Sequence, residues 1–320
     1  MSMIYIIAML LLCLALLFIL NFYFVLVVRK DEQEEYIKRG SKARNLYEVA
    51  AFGSSYCKYA FDFEGTGVKG YNFGIVAQFL YYTDLMIRSF RSSYKDNALI
   101  FIVLPDLVFA EGGKGLYGAS RYVRFVNKKL LNDEYSIIQK IFLSYLPLFI
   151  PSLSNFKICI KKILTFKRSD DYNKLRHNTL SIPQNMLAAK QRCKDWCEEF
   201  KLNDTISQEI PPLLKEKFKQ SQTILTGIID YCIKENLRPV LIVTPVSGIM
   251  REHISKPFLE EVLYSNIIKA NVQNIPVLDY LDDDRFIDID LYANNADFLN
   301  ARGREFFTKI VLEDVKKYYD

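Results

Sequence analysis

Two adjacent serines, Ser54 and Ser55, follow Gly53 directly after the apolar run 46–52. A buried strand that stops at a glycine and hands a hydroxyl to a strand-to-helix turn is where an open α/β sheet exposes reactive side chains. The chemistry on offer is nucleophilic, since a serine Oγ attacks a carbonyl carbon once a base takes its proton. Gly-Ser-Ser also makes an ordinary helix cap, and the tripeptide alone does not separate the two readings. Candidate bases are few. His177 and His253 are the two histidines of the chain. His177 lies in a polar stretch, whereas His253 lies in the segment 247–256 that leaves an apolar run, so it is the better placed of the two to act as a base. Asp297 is a carboxylate alternative.

The positioning elements follow from the apolar pattern. Residues 98–104 and 239–245 are continuous apolar runs of strand length, as expected of strands covered on both faces. Shorter strands are predicted at 68–73 and 275–279, and helices at 75–90, 213–235, 258–271 and from 301 to 318, where apolar residues recur at helical spacing. Strand, helix and strand in this order require right-handed crossovers and a parallel sheet. The predicted fold class is α/β, a three-layer, doubly wound, mostly parallel sheet preceded by one transmembrane helix. Ligands of such sheets bind beyond the carboxyl ends of the strands, which carries Ser54, Ser55, Gly74, Asp106, Ser247 and the segment before Ala301 to one edge.

Residues 4–28 carry no charge and are almost all apolar or aromatic, long enough to cross a bilayer. The run exceeds a signal-peptide core and lacks a basic segment before it, so residues 1–28 are expected to remain as an anchor. A charged connector spans 29–44, and the sheet domain is written in two parts, 45–106 and 212–320. Between them, 107–211 breaks the pattern and reads as a helical insertion. Its apolar segment from 141 to 166, punctuated by Lys157, Lys161 and Lys162, suits a membrane interface, with membrane lipid as partner, and equally suits a pair of capping helices. Net charge is +5 from 42 basic and 37 acidic residues without basic blocks, which gives no argument for a nucleic-acid partner. Six cysteines lack metal-site spacing, and no metal or other cofactor is called for. Cys193 and Cys197 are expected to pack on one helix face.

Gly53-Ser54-Ser55, Asn72-Phe73-Gly74, Thr244-Pro245-Val246-Ser247 and Leu299-Asn300 with Gly303, Phe307 and Thr308 occur in this order. Together they resemble the SGNH/GDSL hydrolase family, in the membrane-anchored form found in bacterial envelope polysaccharide loci, related to teichoic acid D-alanylation and alginate O-acetylation proteins. The resemblance covers roughly 45–106 and 212–318. It implies that Ser55 is the nucleophile, that the Ser55 and Gly74 N–H groups form an oxyanion hole, and that Ser54, Asp106, Ser247 and Asp297 line the substrate. It also places a histidine base and its orienting aspartate where this chain has Phe298 and Asn295. Phenylalanine accepts no proton and asparagine carries no charge to stabilise an imidazolium. Two functions follow: acyl transfer or ester hydrolysis in synthesis or O-acylation of an envelope polysaccharide, or a catalytically silent partner of glycan or of a membrane-bound acyltransferase. Plain counting of the basic residues after the anchor leaves the domain in the cytoplasm, whereas the resemblance places it outside the bacterial cytoplasmic membrane, and we follow the resemblance.

Overall fold

The computed structural model describes residues 3–28, 32–113, 122, 125–127, 129–131, 136–149, 179–202, 210–294 and 296–319. In chain order the elements are α1 (Met3–Tyr23), which runs on as a π-helical turn to Val28, α2 (Glu32–Ser41), β1 (Tyr47–Phe52), α3 (Ser55–Ala60), β2 (Gly70–Asn72) and α4 (Leu80–Ser89). Then come β3 (Tyr94–Leu104), α5 (Ile137–Tyr145), α6 (Ile182–Phe200), α7 (Pro212–Lys234), β4 (Arg238–Val243) and α8 (Gly248–Arg251). The last elements are α9 (Lys256–Leu259), α10 (Ser265–Ala270), β5 (Val277–Asp279), α11 (Ala301–Asp314) and a final short helix, α12 (Lys316–Tyr319). They fall into two compact units, Met1–Ser41 with Gly115–Tyr172, and Lys42–Lys114 with Asn173–Asp320. The stretch expected as one insertion, 107–211, is therefore shared between them. Its last helix, α6, belongs with the sheet.

All five strands run parallel in the order β2-β1-β3-β4-β5. Strand order reverses between β1 and β3, which makes their carboxyl ends the switch point of the sheet. Side chains alternate across a strand, so Phe52 and Phe101, out of phase in the β1–β3 register, lie on opposite faces. Phe52 stacks on Phe73, which packs in turn on Phe90 at the end of α4, each at 5.0 Å between ring centres. Helices α7 and α10 continue this layer. On the other face Phe101 meets Phe61, and Phe61 meets Phe307 of α11. Helices α3 and α11 pack together there. The three-layer α/β fold is thus the one the apolar runs predict.

Several elements differ in extent from the sequence expectation: β3 begins at Tyr94, four residues before the apolar run, β2 and β5 are shorter at both or one of their ends, and the last long helix stops at Asp314. Two helices differ for a visible reason. The helix expected from residue 75 begins at Leu80, because Ile75 N–H donates to Gly53 O at 3.0 Å and Ala77 takes a left-handed backbone (φ 54°). That segment crosses the sheet edge before the helix can start. The helix expected over 258–271 is broken by a π-helical turn at Glu260–Tyr264.

In the first unit α1 is long and apolar enough to cross a membrane: Met3–Leu26 has a mean hydropathy of 3.1 over its best window. Its side chains are almost all exposed, and the exceptions gather near one end. Asn21 is 3% exposed. Its Nδ2 donates to Tyr145 O at 2.8 Å and its Oδ1 accepts from Leu148 N–H at 3.2 Å. Phe24 buries against Leu148 with Leu20 and Tyr23 alongside, and the Phe18 and Phe149 rings lie 4.9 Å apart. Most of the apolar segment expected at a membrane interface, together with Lys157, Lys161, Lys162 and His177, lies outside the described residues.

Candidate functional site

The turn after β1 is built tightly. Gly53 has φ 152°, and a Cβ there would stand 3.0 Å from Cys57 Cβ and 3.1 Å from Val103 O, so only glycine fits between β1 and β3. Ser54 follows as the N-cap of α3 with extended backbone, its side chain making no cap bond. Ser55 opens the helix and is 9% exposed. Asn72, at the end of β2, holds the far end of this short helix. Its Nδ2 donates to Cys57 O, Lys58 O and Phe61 O at 3.0, 3.2 and 2.9 Å.

The same side chain corrects one expectation. Asn72 Oδ1 accepts the Gly74 N–H at 2.9 Å, so that amide is turned inward and committed. A Cβ on Gly74 would lie 2.5 Å from the Lys58 nitrogen, which gives the glycine a packing reason. Ser247, expected to line the substrate, is committed as well. Its Oγ donates to Ala296 O at 2.6 Å and accepts from Met250 N–H at 3.2 Å, which caps α8 and ties the strand end to the loop before α11. That loop is fixed further by Asn300, which donates to Asp290 O and Tyr292 O and accepts from Gly303 N–H. Ala296, held by these bonds, has φ 63°.

Phe298 lies beside α3. Its ring centre is 5.0 Å from both Tyr56 and Tyr59, one and four residues beyond Ser55, and the Arg192 guanidinium stands 5.9 Å above it. Helix α3, which the Gly-Ser-Ser turn opens, and the loop before α11 therefore meet. Asn295 lies outside the described residues. His253 follows the end of α8, half-buried, its N–H donating to Met250 O. Among the described residues its ring makes no hydrogen bond or ion pair to Ser54, Asp106 or Asp297.

Asp297 and Asp106 are both buried at this edge. Asp297 Oδ2 accepts from Arg192 Nε at 2.8 Å and from Tyr56 OH at 3.3 Å. Burial pushes the Asp297 carboxyl up, and Arg192 pulls against it. Asp106 Oδ1 accepts from the Leu107 N–H at 3.0 Å, and no ion pair reaches the carboxyl among the described residues. Burial, with the nearby Asp297 charge, pushes its carboxyl up to about 7. Burial likewise pushes the Cys193 thiol up to about 12, beside the same two carboxylates. Cys193 and Cys197 are buried free thiols, and Cys193 packs on Met250 sulfur at 3.9 Å, in keeping with a packing role.

Four buried polar atoms at the strand ends have no hydrogen-bond partner among the described residues: Ser54 Oγ, Asp106 Oδ2, Thr244 Oγ1 and Asp297 Oδ1. Buried polar groups are normally satisfied, so such a concentration marks a place built for something other than packing. Arg192 and Tyr56 escape sequence reasoning. Arg192 borders the buried stripe Ala189, Cys193, Trp196, Cys197 and Phe200 of α6, and a lone arginine beside an apolar helix face is the signal that points to it. No protein-family model matches the chain, and no curated protein matches it.

Proposed function

We propose that this chain is a single-pass membrane protein of the bacterial envelope, with an SGNH-like α/β domain on the outer side of the cytoplasmic membrane. It serves polysaccharide synthesis or O-acylation by binding glycan or a membrane-bound acyltransferase rather than by acyl-serine chemistry. The strand order, the serine turn at the β1–β3 switch point and the meeting of α3 with the loop before α11 support the SGNH-like reading. The single observation that carries the silent reading is Phe298, seated against Tyr56 and Tyr59 where the resemblance places the base. A serine without a proton acceptor is a poor nucleophile near neutral pH, and general-base help is worth ~10²–10⁴-fold in rate.

One observation favours the competing reading, an acyl-serine enzyme. Asp106 sits at the end of the strand next to β1, and a carboxyl pushed up to about 7 is well matched to take a proton. Hydrolysis of small acetyl esters by the detergent-solubilised full chain separates the two. The silent reading expects background rates, unchanged in Ser55→Ala. A rate that collapses in Ser55→Ala and has an acid limb near neutral pH would replace it with Ser55–Asp106 chemistry.

A further inference from the structure

The apolar run of α1 contains one carboxamide, Asn21, and the partners of that side chain are unusual. They are a carbonyl and an N–H on either side of the break at Leu146-Pro147, where α5 ends and a short 3-10 turn, Pro147–Phe149, begins. A helix end leaves backbone groups unpaired, and proline cannot continue the ladder. In water those groups would be solvated. Within a bilayer they need partners from the protein itself, and irregular backbone survives at membrane depth only where it finds them. Asn21 supplies one donor and one acceptor, matching the two groups one for one.

Depth follows from helix geometry. Met3–Leu26 covers 24 residues, so at 1.5 Å per residue it is ~36 Å long against a hydrocarbon core of ~30 Å. Asn21 stands five residues before Leu26, hence roughly 8 Å from that end, where hydrocarbon gives way to headgroups. Tyr145 and Leu148 are held at the same level. Among the described side chains of α5, Ile138, Ile141, Phe142 and Tyr145 are apolar and exposed. Their spacing of i, i+3, i+4 and i+7 puts them in one stripe, with Ser136 and Gln139 outside it closing the capping box at the helix start. Among the described residues α1 meets this segment through Asn21, Phe18 and Phe24 at residues 145–149, while the Ile138, Ile141, Phe142 and Tyr145 side chains stay exposed.

We propose that residues 137–149 are a second membrane element, an interfacial helix and turn bolted to the anchor by Asn21, with its Ile138–Tyr145 stripe buried in the lipid headgroup and acyl boundary. This rests on the reading of Met3–Leu26 as a membrane span. A short amphipathic helix held at headgroup depth, with a tyrosine at its end, matches what an interface accepts. The occupant of the stripe is lipid because Asn21 fixes the helix at the depth where lipid is the solvent.

The test uses the full chain in liposomes of phosphatidylcholine and phosphatidylglycerol, with single tryptophans introduced by Leu12→Trp, Ile141→Trp and Ile268→Trp. Emission of the native Trp196 is subtracted from a parallel wild-type sample. Lipids brominated near the chain end, lipids brominated near the carbonyl, and aqueous iodide serve as quenchers. Leu12→Trp should lose most emission to the deep bromines, Ile141→Trp to the shallow ones, and Ile268→Trp to iodide. Adding Asn21→Leu should move Ile141→Trp toward iodide quenching and leave Leu12→Trp unchanged. If Leu12→Trp ignores brominated lipid, the span itself is refuted. If Leu12→Trp is quenched by the deep bromines while Ile141→Trp behaves like Ile268→Trp, the interfacial element is refuted and the span stands. Shielding of Ile141→Trp from every quencher would mean protein covers the stripe, which also overturns the proposal. An Ile141→Trp depth indifferent to Asn21→Leu would remove the bolt.

Discussion

The end of β3 and the loop before α11 each bury one carboxylate, Asp106 at 2% and Asp297 at 1% exposure, and satisfy it in opposite ways. Asp297 is given a guanidinium and a phenol. Asp106 is given one backbone N–H, and it lies within electrostatic reach of the other charge. One arginine cannot neutralise two buried carboxylates. The pair therefore divides its roles: Asp297 is the charged partner of Arg192, and Asp106 keeps a proton until about neutral pH. What the contrast teaches is that the two sides of the edge are finished differently. On the proposed SGNH-like reading, the side that would carry a base holds an ion pair and a phenylalanine. The strand-end side retains buried polar atoms with nothing to bind among the described residues, Ser54 Oγ, Asp106 Oδ2 and Thr244 Oγ1.

The largest effect expected from this division is on stability against pH. The Asp106 carboxyl rises from 3.8 in an unperturbed chain to about 7 in the fold, so between those values the folded state holds a proton the unfolded state has lost. Stability from this group is therefore full below ~4, falls as pH rises toward ~7 and is flat above, a total of at most about 4 kcal/mol. The titratable neighbours are Asp297, Arg192, Tyr56 and Cys193. Asp106→Asn should flatten the fall and be at least as stable as wild type at pH 8. Urea unfolding followed by Trp196, the single tryptophan, reads this directly. An unchanged slope in Asp106→Asn would show that the carboxyl is ionised in the fold and that the two sites are alike.

Asp297→Ala tests the other member. It leaves Arg192 without its carboxylate and Tyr56 without its acceptor. Breaking a buried pair costs ~3–5 kcal/mol, and because the Arg192 side chain keeps 32% exposure we expect the lower figure of roughly 2–3 kcal/mol. Trp196, whose ring lies 5.4 Å from the Arg192 guanidinium, should report the loss as a change in emission in the folded state. A loss below about 0.5 kcal/mol, within the range of an ordinary surface substitution, would reduce the pair to an exposed ion contact.

Much of this molecule is legible in its sequence, for reasons that differ by element. Residues 98–104 of β3 and the strand β4 are continuous apolar runs of strand length because both their faces are covered. Phe298 stands out only against the family pattern that the chain resembles, and its packing on Tyr56 and Tyr59 is what a ring does beside two other rings. Arg192 is legible only as a lone arginine beside an apolar helix face, and its role is not. Its partner is 105 residues away, and a helix assigned to an insertion gives no reason to look toward the sheet edge. Gly74 misleads because the same glycine serves a tight backbone approach as readily as an oxyanion hole. Asn21 is the subtlest case: a run judged by length and absence of charge hides one amide, and only a fold shows which backbone groups it meets.

The smallest effect is expected at Ser54, and it sharpens the contrast from the strand-end side. Its hydroxyl is buried, makes no cap bond and has no partner among the described residues. A buried hydroxyl of this kind contributes desolvation cost without a compensating bond, so Ser54→Ala should be neutral or stabilising by up to about 1 kcal/mol. Ser55→Ala, at the first position of α3, serves as the control within ~0.5 kcal/mol of wild type. Asn72 still grips α3 in both variants, so the turn itself should not move. The informative contrary result is a Ser54→Ala protein destabilised by more than about 1 kcal/mol. That would mean the hydroxyl completes a hydrogen-bonded network with Asp106 and Thr244 in solution, and that the strand-end side is as fully tied as the Arg192–Asp297 side.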